Sequence, residues 1–296
     1  MRTKEYKITQ GISHIVLCIA SLLVIVPFVL LLVASFTNND WATVNGFHFI
    51  PKEWSLDAYL YILNQKETIG RAYFMTIAVT LVGTVMSLIL TTTLAYATSR
   101  SDIPAMRVVN YMLIFTMLFN GGLVATYYTY TQLFHIRNTF WALVVPGLML
   151  NAVNVILVRN YFKSSIPASL LEAARLDGAG EFRVFATVII PLSKPILATV
   201  GLMTAIGYWN DWQNGMYYLS ERGGSQYYTI QVLLNNINNN VQNLANNSAV
   251  SGMNISLPST TIRMAIATIG ILPIMIVYPF FQKFFVQGIT LGGVKE

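Results

Sequence analysis

Six stretches of this chain, each close to 20 residues or longer and almost free of charge, decide what it can fold into. They run from about Ile12 to Phe36, Ala72 to Ala97, Val108 to Phe134, Phe140 to Phe162, Pro195 to Trp212 and Ile262 to Phe285. A helix needs about 20 mostly apolar residues to cross the roughly 30 Å hydrocarbon layer, where the backbone must satisfy its own hydrogen bonds. Of the 296 residues 55% are hydrophobic and 10% charged, against roughly 25% charged in a soluble domain. The expectation is an all-α integral membrane protein with six transmembrane helices, residues 1–296 forming one domain solvated by membrane lipid. The chain has no length left for a second, soluble domain.

Basic residues set the orientation, because short cytoplasmic loops collect lysine and arginine. Six spans put both termini on one side. With them lie Arg2, Lys4, Lys7, Arg100, Arg107, Arg159, Lys163, Arg175, Arg183, Lys194, Lys283 and Lys295, twelve against the six on the other side (Lys52, Lys66, Arg71, Arg137, Arg222 and Arg263). Both termini are expected in the cytoplasm. The first apolar stretch is about twice as long as a signal-peptide core and no small-x-small cleavage site follows it, so it reads as an uncleaved anchor. The net charge of +6 is spread over membrane-flanking turns with no basic patch, which argues against nucleic acid as a partner. Cys18 has no partner cysteine, and His14, His48 and His135 show no ligand spacing, so metal ligation is not expected.

Between the fourth and fifth stretches lies a polar, glycine-broken island, residues 165–191. Ser165 and Pro167 have the makings of a helix start, a capping oxygen and a preset φ. Ile166, Leu170, Ala173 and Ala174 recur at helical spacing and predict a short amphipathic helix, with Glu172 and Arg175 paired on its flank. Gly178 and Gly180 tolerate positive φ and should end it. The result is a short rigid knob with alanines at its surface and Glu172, Asp177, Glu181 and Arg183 around its rim. An interfacial helix lying on the membrane is the plainer alternative.

The spacing runs further than the helix. Glu172-Ala173-Ala174 is followed by three residues, Gly178, nine residues, then Val188 two positions before Ile190-Pro191. This resembles the Glu-Ala-Ala loop of ABC importer permeases, with Val188 and Ile190 replacing other aliphatics. The resemblance implies the type I importer permease fold, with the knob as a coupling helix that sits in a cleft of an ATPase. Glu172, Ala173, Ala174, Asp177, Gly178 and Pro191 are its expected coupling residues. The Gln287 to Lys295 ending, and Trp209-Asn210-Asp211-Trp212 followed by Met216-Tyr217-Tyr218-Leu219, resemble the MalG type of carbohydrate permease. Phe119-Asn120-Gly121-Gly122-Leu123 and the tyrosines from Tyr127 to Tyr130 look like its Lpl-type branch, associated with oligosaccharides and polysaccharide-derived glycans. The family implies a heterodimer with a sister permease, two ATPase subunits and an extracytoplasmic sugar-binding protein in a bacterial cell membrane.

No phosphate-cradling Gly-x-x-x-x-Gly-Lys-Ser/Thr loop occurs; in the nearest approach, Gly288 to Lys295, Val294 stands where lysine belongs. The chain is therefore expected to bind no cofactor and to be no enzyme, with ATP and magnesium held by the separate ATPase.

Sugar would be met by aromatic faces and amide or carboxylate groups in a water-lined cavity. Candidates are Asn120, Tyr127, Asn151, Asn154, Trp209, Asn210 and Asp211, with Tyr128, Tyr130 and Tyr208 as further members. Each also has a plainer reading, as an interfacial belt for the aromatics or as a helix-to-helix hydrogen bond for the amides. Residues 213–261 form a long asparagine-rich stretch in which Ile230, Val232, Leu233, Leu234 and Ile237 predict a short amphipathic helix. By resemblance it is a scoop that enters the binding protein. Importers of peptides or amino acids, a membrane-embedded glycosyltransferase and an ion-driven transporter are the competing readings. The enzyme would need acidic residues within the spans, and the ion-driven transporter gives the island no purpose.

Overall fold

The computed structural model describes residues 4–100, 102–246 and 260–293. Arg2, Val294 and Lys295 lie outside them, as does much of the asparagine-rich stretch, residues 247–259. The described residues are helical, with no strand and one isolated bridge between Thr37 and Trp54. Among the described residues three helices are long and apolar enough to cross a membrane: Thr9–Ser35 within α1 (Lys4–Ser35), α4 (Lys66–Ser99), and Thr260–Pro279 within α16 (Thr260–Gly293). Two bent pairs would raise the number to five.

Contacts divide the chain into two compact units. One comprises the chain up to Ile69 with Leu234–Pro273, the other Gly70–Leu233 with the chain from Ile274 on. In the first, α1 exposes its whole apolar window, as a helix solvated by lipid does. At its end the Ser35 and Tyr59 hydroxyls hydrogen-bond at 2.8 Å, and Phe36 stacks on Tyr59 with ring centroids 4.7 Å apart. Asn38 caps the short α2 (Asn39–Asn45), and α3 (Asp57–Asn64) carries Tyr59.

The second unit is built on one face of α4. Ala72, Thr76, Val79, Gly83, Ser87, Thr91, Ala95 and Thr98 are buried at spacings of three and four, the helix repeat. Small side chains let neighbouring helices come close where lipid supplies no hydrophobic drive between them. Against this face pack α12 (Lys194–Asn210) and α8 (Ala152–Ser165), and α8 also meets α5 (Ala105–Leu118). A Cβ on Gly83 would lie 2.5 Å from the ring of Tyr208 on α12, and one on Gly201 of α12 would lie 3.2 Å from Leu88 of α4. The end of α4 is capped from its neighbours, because the Thr98 carbonyl accepts from Arg159 Nε at 3.0 Å and Asn110 Nδ2 at 3.3 Å.

Two apolar stretches are not continuous helices. The third splits into α5 and α6 (Gly122–Tyr128), which a π-turn extends to Leu133, the two halves bent by 119°. Gly122 has φ +80°, and its N–H donates to Asn120 Oδ1 at 2.9 Å, a side-chain turn that replaces helical bonding. The fourth consists of α7 (Trp141–Val144) and α8, separated at Pro146-Gly147, where Gly147 has φ +72°. This break frees carbonyls that lipid cannot satisfy. Tyr208 Oη donates to the Val144 carbonyl at 2.8 Å, and Asn214 Nδ2 to the Pro146 carbonyl at 3.0 Å. Sequence hydropathy averages over both breaks.

Since the Tyr208 ring is pinned over Gly83 by its own hydrogen bond, Gly83→Ala should destabilise the protein by about 1–3 kcal/mol through overpacking. Gly11→Ala, whose Cβ would meet nothing within 4 Å, should leave the melting temperature in detergent unchanged, so a thermal comparison of the two variants checks this.

Candidate functional site

The island begins where α8 is forced to stop. Ile166 precedes a proline and takes an extended conformation (φ −107°, ψ 114°), and Pro167 stands before α9 (Ala168–Leu176) with ψ 133°. Ser165 therefore closes α8, and no side chain caps α9, contrary to the expectation that the serine would cap it. Restarting at Ala168 also resets the phase of the apolar stripe. Leu171 and Ala174 turn inward onto a core that contains Ala95, Val155, Val158 and Val184, while Leu170 and Ala173 stay exposed.

The helix stops as glycine dictates. Gly178 sits at φ +80°, its N–H donates to the Arg175 carbonyl, and the Ala179 N–H donates to the Ala174 carbonyl, each at 3.0 Å. These two bonds make a Schellman ending that satisfies the final carbonyls. Gly180 has φ −68° and needs no glycine on that account. The turn leaves two large apolar side chains standing out, Leu176 at 88% exposure and Phe182 at 83%, with Glu172 and Asp177 beside them. Beyond it run α10 (Glu181–Val184), a π-turn over Phe185–Ile189, and α11 (Ile190–Leu192), which meets α12 at 81°. Pro195 explains that bend, since it lacks the N–H that would bond the Pro191 carbonyl in a continuous helix.

Arg175 pairs with Glu181 across the turn, Nε to Oε1 at 3.1 Å, and not with Glu172 as its spacing suggested. Glu181 also accepts from Tyr96 Oη at 2.6 Å and forms an ion pair with Arg100, which in turn pairs with Asp102. The Tyr96 ring stacks on Phe185, centroids 5.3 Å apart. The hydrogen bond from Tyr96, with the Arg100 and Arg175 guanidiniums, holds the Glu181 carboxyl below the usual range despite desolvation. Arg100 likewise draws Asp102 down to about 2, mainly by hydrogen bonding. Both are ionised at neutral pH. Exposed pairs of this kind are screened by water and add little to stability, so the network chiefly specifies geometry.

Away from the island the candidate path residues divide by role. Asn120 forms the turn between α5 and α6. Asn151 caps α8, accepting from Val153 N at 2.9 Å and Asn154 N at 3.3 Å. Asp211 accepts from the Gln213 and Asn214 N–H groups, starting α13 (Gln213–Tyr218). Two amides link segments: Asn154 Nδ2 reaches Thr204 Oγ1 at 3.5 Å, and Asn210 Oδ1 accepts from Gln231 at 3.4 Å. Trp209 is buried. Tyr127 stacks on Tyr218, centroids 5.9 Å apart, in an aromatic cluster with Tyr130 and Tyr217.

The long polar stretch opens with α13, α14 (Glu221–Gly224) and α15 (Ile230–Asn246), which contains the expected amphipathic segment. Ile230 and Val232 are buried, and the Ile230 N–H donates to Thr76 Oγ1 of α4 at 3.0 Å. Asn138, at φ +56°, ties this stretch down by accepting from Ser220 N at 2.7 Å. Tyr96, Arg100, Asn138 and Asn214 are structural hubs that the sequence pattern does not mark, and Tyr208, a candidate for the sugar path, is a hub as well. The Arg100-Ser101-Asp102 charge pair directly after an apolar span was the available signal for one of them. Among the described residues no three His, Cys, Asp or Glu side chains come together as metal ligands.

Comparison with known proteins agrees with this architecture. Residues 101–291 match the family described as the binding-protein-dependent transport system inner membrane component. The polygalacturonan/rhamnogalacturonan transport system permease protein YtcP of Bacillus subtilis (strain 168) is 34% identical over 93% of this chain and 94% of its own. Protein LplC of the same organism is 34% identical over 92% and 89%. In a crystal structure of a bacterial ABC transporter involved in import of the acidic polysaccharide alginate, one chain is 31% identical, with a TM-score of 0.79 over 96% of this chain and 99% of that one. A mostly helical chain carrying the Glu172 to Pro191 island, matched along nearly its whole length, belongs to the binding-protein-dependent transport system inner membrane components, the non-catalytic membrane permeases of ABC importers.

Proposed function

We propose that this permease carries polysaccharide-derived oligosaccharides into the cell by alternating access, as one half of a heterodimer with a sister permease. Two ATPase subunits hold the ATP and magnesium, and an extracytoplasmic sugar-binding protein delivers the cargo. The observation that carries the coupling role is the exposed end of α9. Leu176 and Phe182 stand in solvent beside Glu172 and Asp177, around a turn fixed by Gly178. Large apolar side chains left outside a well-formed core mark an interaction site, and buried anchors of this kind dominate interface energies. Both termini and the island lie in the cytoplasm in this reading, which the twelve-to-six bias of basic residues supports.

When ATP closes the ATPase dimer, its cleft carries α9 with it, and because Leu171, Ala174 and Val184 belong to the same core as Val155 and Ile196, the displacement passes directly into α8 and α12. The cavity then opens toward the loaded binding protein. The path runs past Asn154, Asn210 and the tyrosine cluster, whose amides and ring faces suit hydroxyl and C–H surfaces of sugar. Asn120, Asn151, Trp209 and Asp211 shape its walls as turn formers, caps and packing. The stretch from Gln213 onward meets the binding protein. The substrate class rests on similarity to permeases named for polygalacturonan/rhamnogalacturonan and alginate transport.

Leu176→Ala combined with Phe182→Ala should cut the ATPase that co-purifies with the complex at least tenfold, with the permease's own melting temperature unchanged, which pull-down and thermal unfolding measure. The open space around the Gly178 Cβ confines any effect there to backbone conformation. Gly178→Val should therefore uncouple hydrolysis from uptake, whereas Gly178→Asn, which tolerates left-handed backbone, should keep most of the coupling. Screening the cognate binding protein against oligogalacturonides, alginate oligomers and maltodextrins tests the cargo; retention of amino acids or peptides alone would remove the carbohydrate assignment.

A further inference from the structure

Beside the exposed Leu176 and Phe182, a polar junction ties the island to the rest of the permease. Glu181 takes a hydrogen bond from Tyr96, an ion pair from Arg100 and another from Arg175. Two of those donors stand at the end of α4 and the third on the last turn of α9, so one carboxylate joins three segments. The stacking of Tyr96 on Phe185 fixes the same junction from its apolar side. Charge-assisted hydrogen bonds to one carboxylate from three donors fix its orientation as well as its position. The helix it grips is the one whose small-residue face carries the other helices of the unit.

We propose that Glu181 is a positioning residue that locks the coupling helix α9 to the end of α4, so that the two move as one body during the transport cycle. The proposal rests on the coupling role given above. It makes α4, and not only the α12 that follows the island in sequence, a direct recipient of the ATPase stroke. It also removes Glu181 and Arg175 from the set of side chains free to meet the ATPase, leaving Glu172, Asp177 and Arg183 for that contact.

The test uses the full complex in nanodiscs, with Cys18→Ser and spin labels at Ser169→Cys on α9 and Thr93→Cys on α4, both exposed positions. Distance distributions are recorded without nucleotide and after trapping with ATP and vanadate. With the lock intact, one narrow distance should persist in both states. Glu181→Gln should broaden it and make it shift on trapping, and Arg100→Gln/Glu181→Gln should broaden it no further than Glu181→Gln alone, as expected when Arg100 acts through Glu181. A distance in the intact protein that shifts on trapping, an unchanged distribution in Glu181→Gln, or broadening that adds in the double variant would overturn the proposal. Failure of the underlying coupling role shows separately, as the absence of ATPase and of vanadate trapping in the unlabelled complex.

Discussion

Close approach of helices over small side chains is the condition on which the larger unit depends. In lipid, one apolar helix gains nothing from hiding from solvent against another, so contact has to come from fit and hydrogen bonding. The buried face of α4 provides the fit through alanine, glycine, serine and threonine at helical spacing. The ring of Tyr208 lies over Gly83 and Leu88 lies over Gly201, a reciprocal arrangement that brings α4 and α12 together from both sides. Packing density of this kind leaves little room for gradual deformation, so displacement of one helix is passed to its neighbour.

That closeness is what lets the chain carry broken helices. Interrupting a span exposes carbonyls for which the hydrocarbon layer has no donors. The interruption at Pro146-Gly147 is accommodated because Tyr208 and Asn214 come within hydrogen-bonding distance of the Val144 and Pro146 carbonyls. Tyr208 thus acts twice, with its ring sealing Gly83 and its hydroxyl completing the backbone of another segment. The same logic recurs at the other end of α4, where Arg159 and Asn110 satisfy the Thr98 carbonyl.

Much of this was legible in the residues themselves. The apolar stretches follow from lipid chemistry alone, and the Gly178 turn follows from the freedom of glycine. What could not be read was the partner of each polar group. Asn120, Asn151 and Asp211 carry the side chains that a sugar path would use, but the same oxygens cap helices and make turns, and nothing local separates the two uses. Tyr96 and Glu181 are separated by 85 positions, so only the fold could bring them together. Glu172 and Arg175 looked like a pair because helical spacing was all there was to judge by, and the turn at Gly178 carried Glu181 back to take the arginine instead.

The bend between α5 and α6 has a consequence for how the chain is held in a membrane. α5 has 14 residues, which at about 1.5 Å each reach about 21 Å, short of the roughly 30 Å hydrocarbon thickness. The segment from Gly122 to Leu133 is shorter still. Neither half spans the hydrocarbon layer by itself. Each depends instead on its neighbours for burial, α5 on α8 and the second half on the aromatic cluster around Tyr218, so this stretch is held in the layer by protein contacts as much as by lipid.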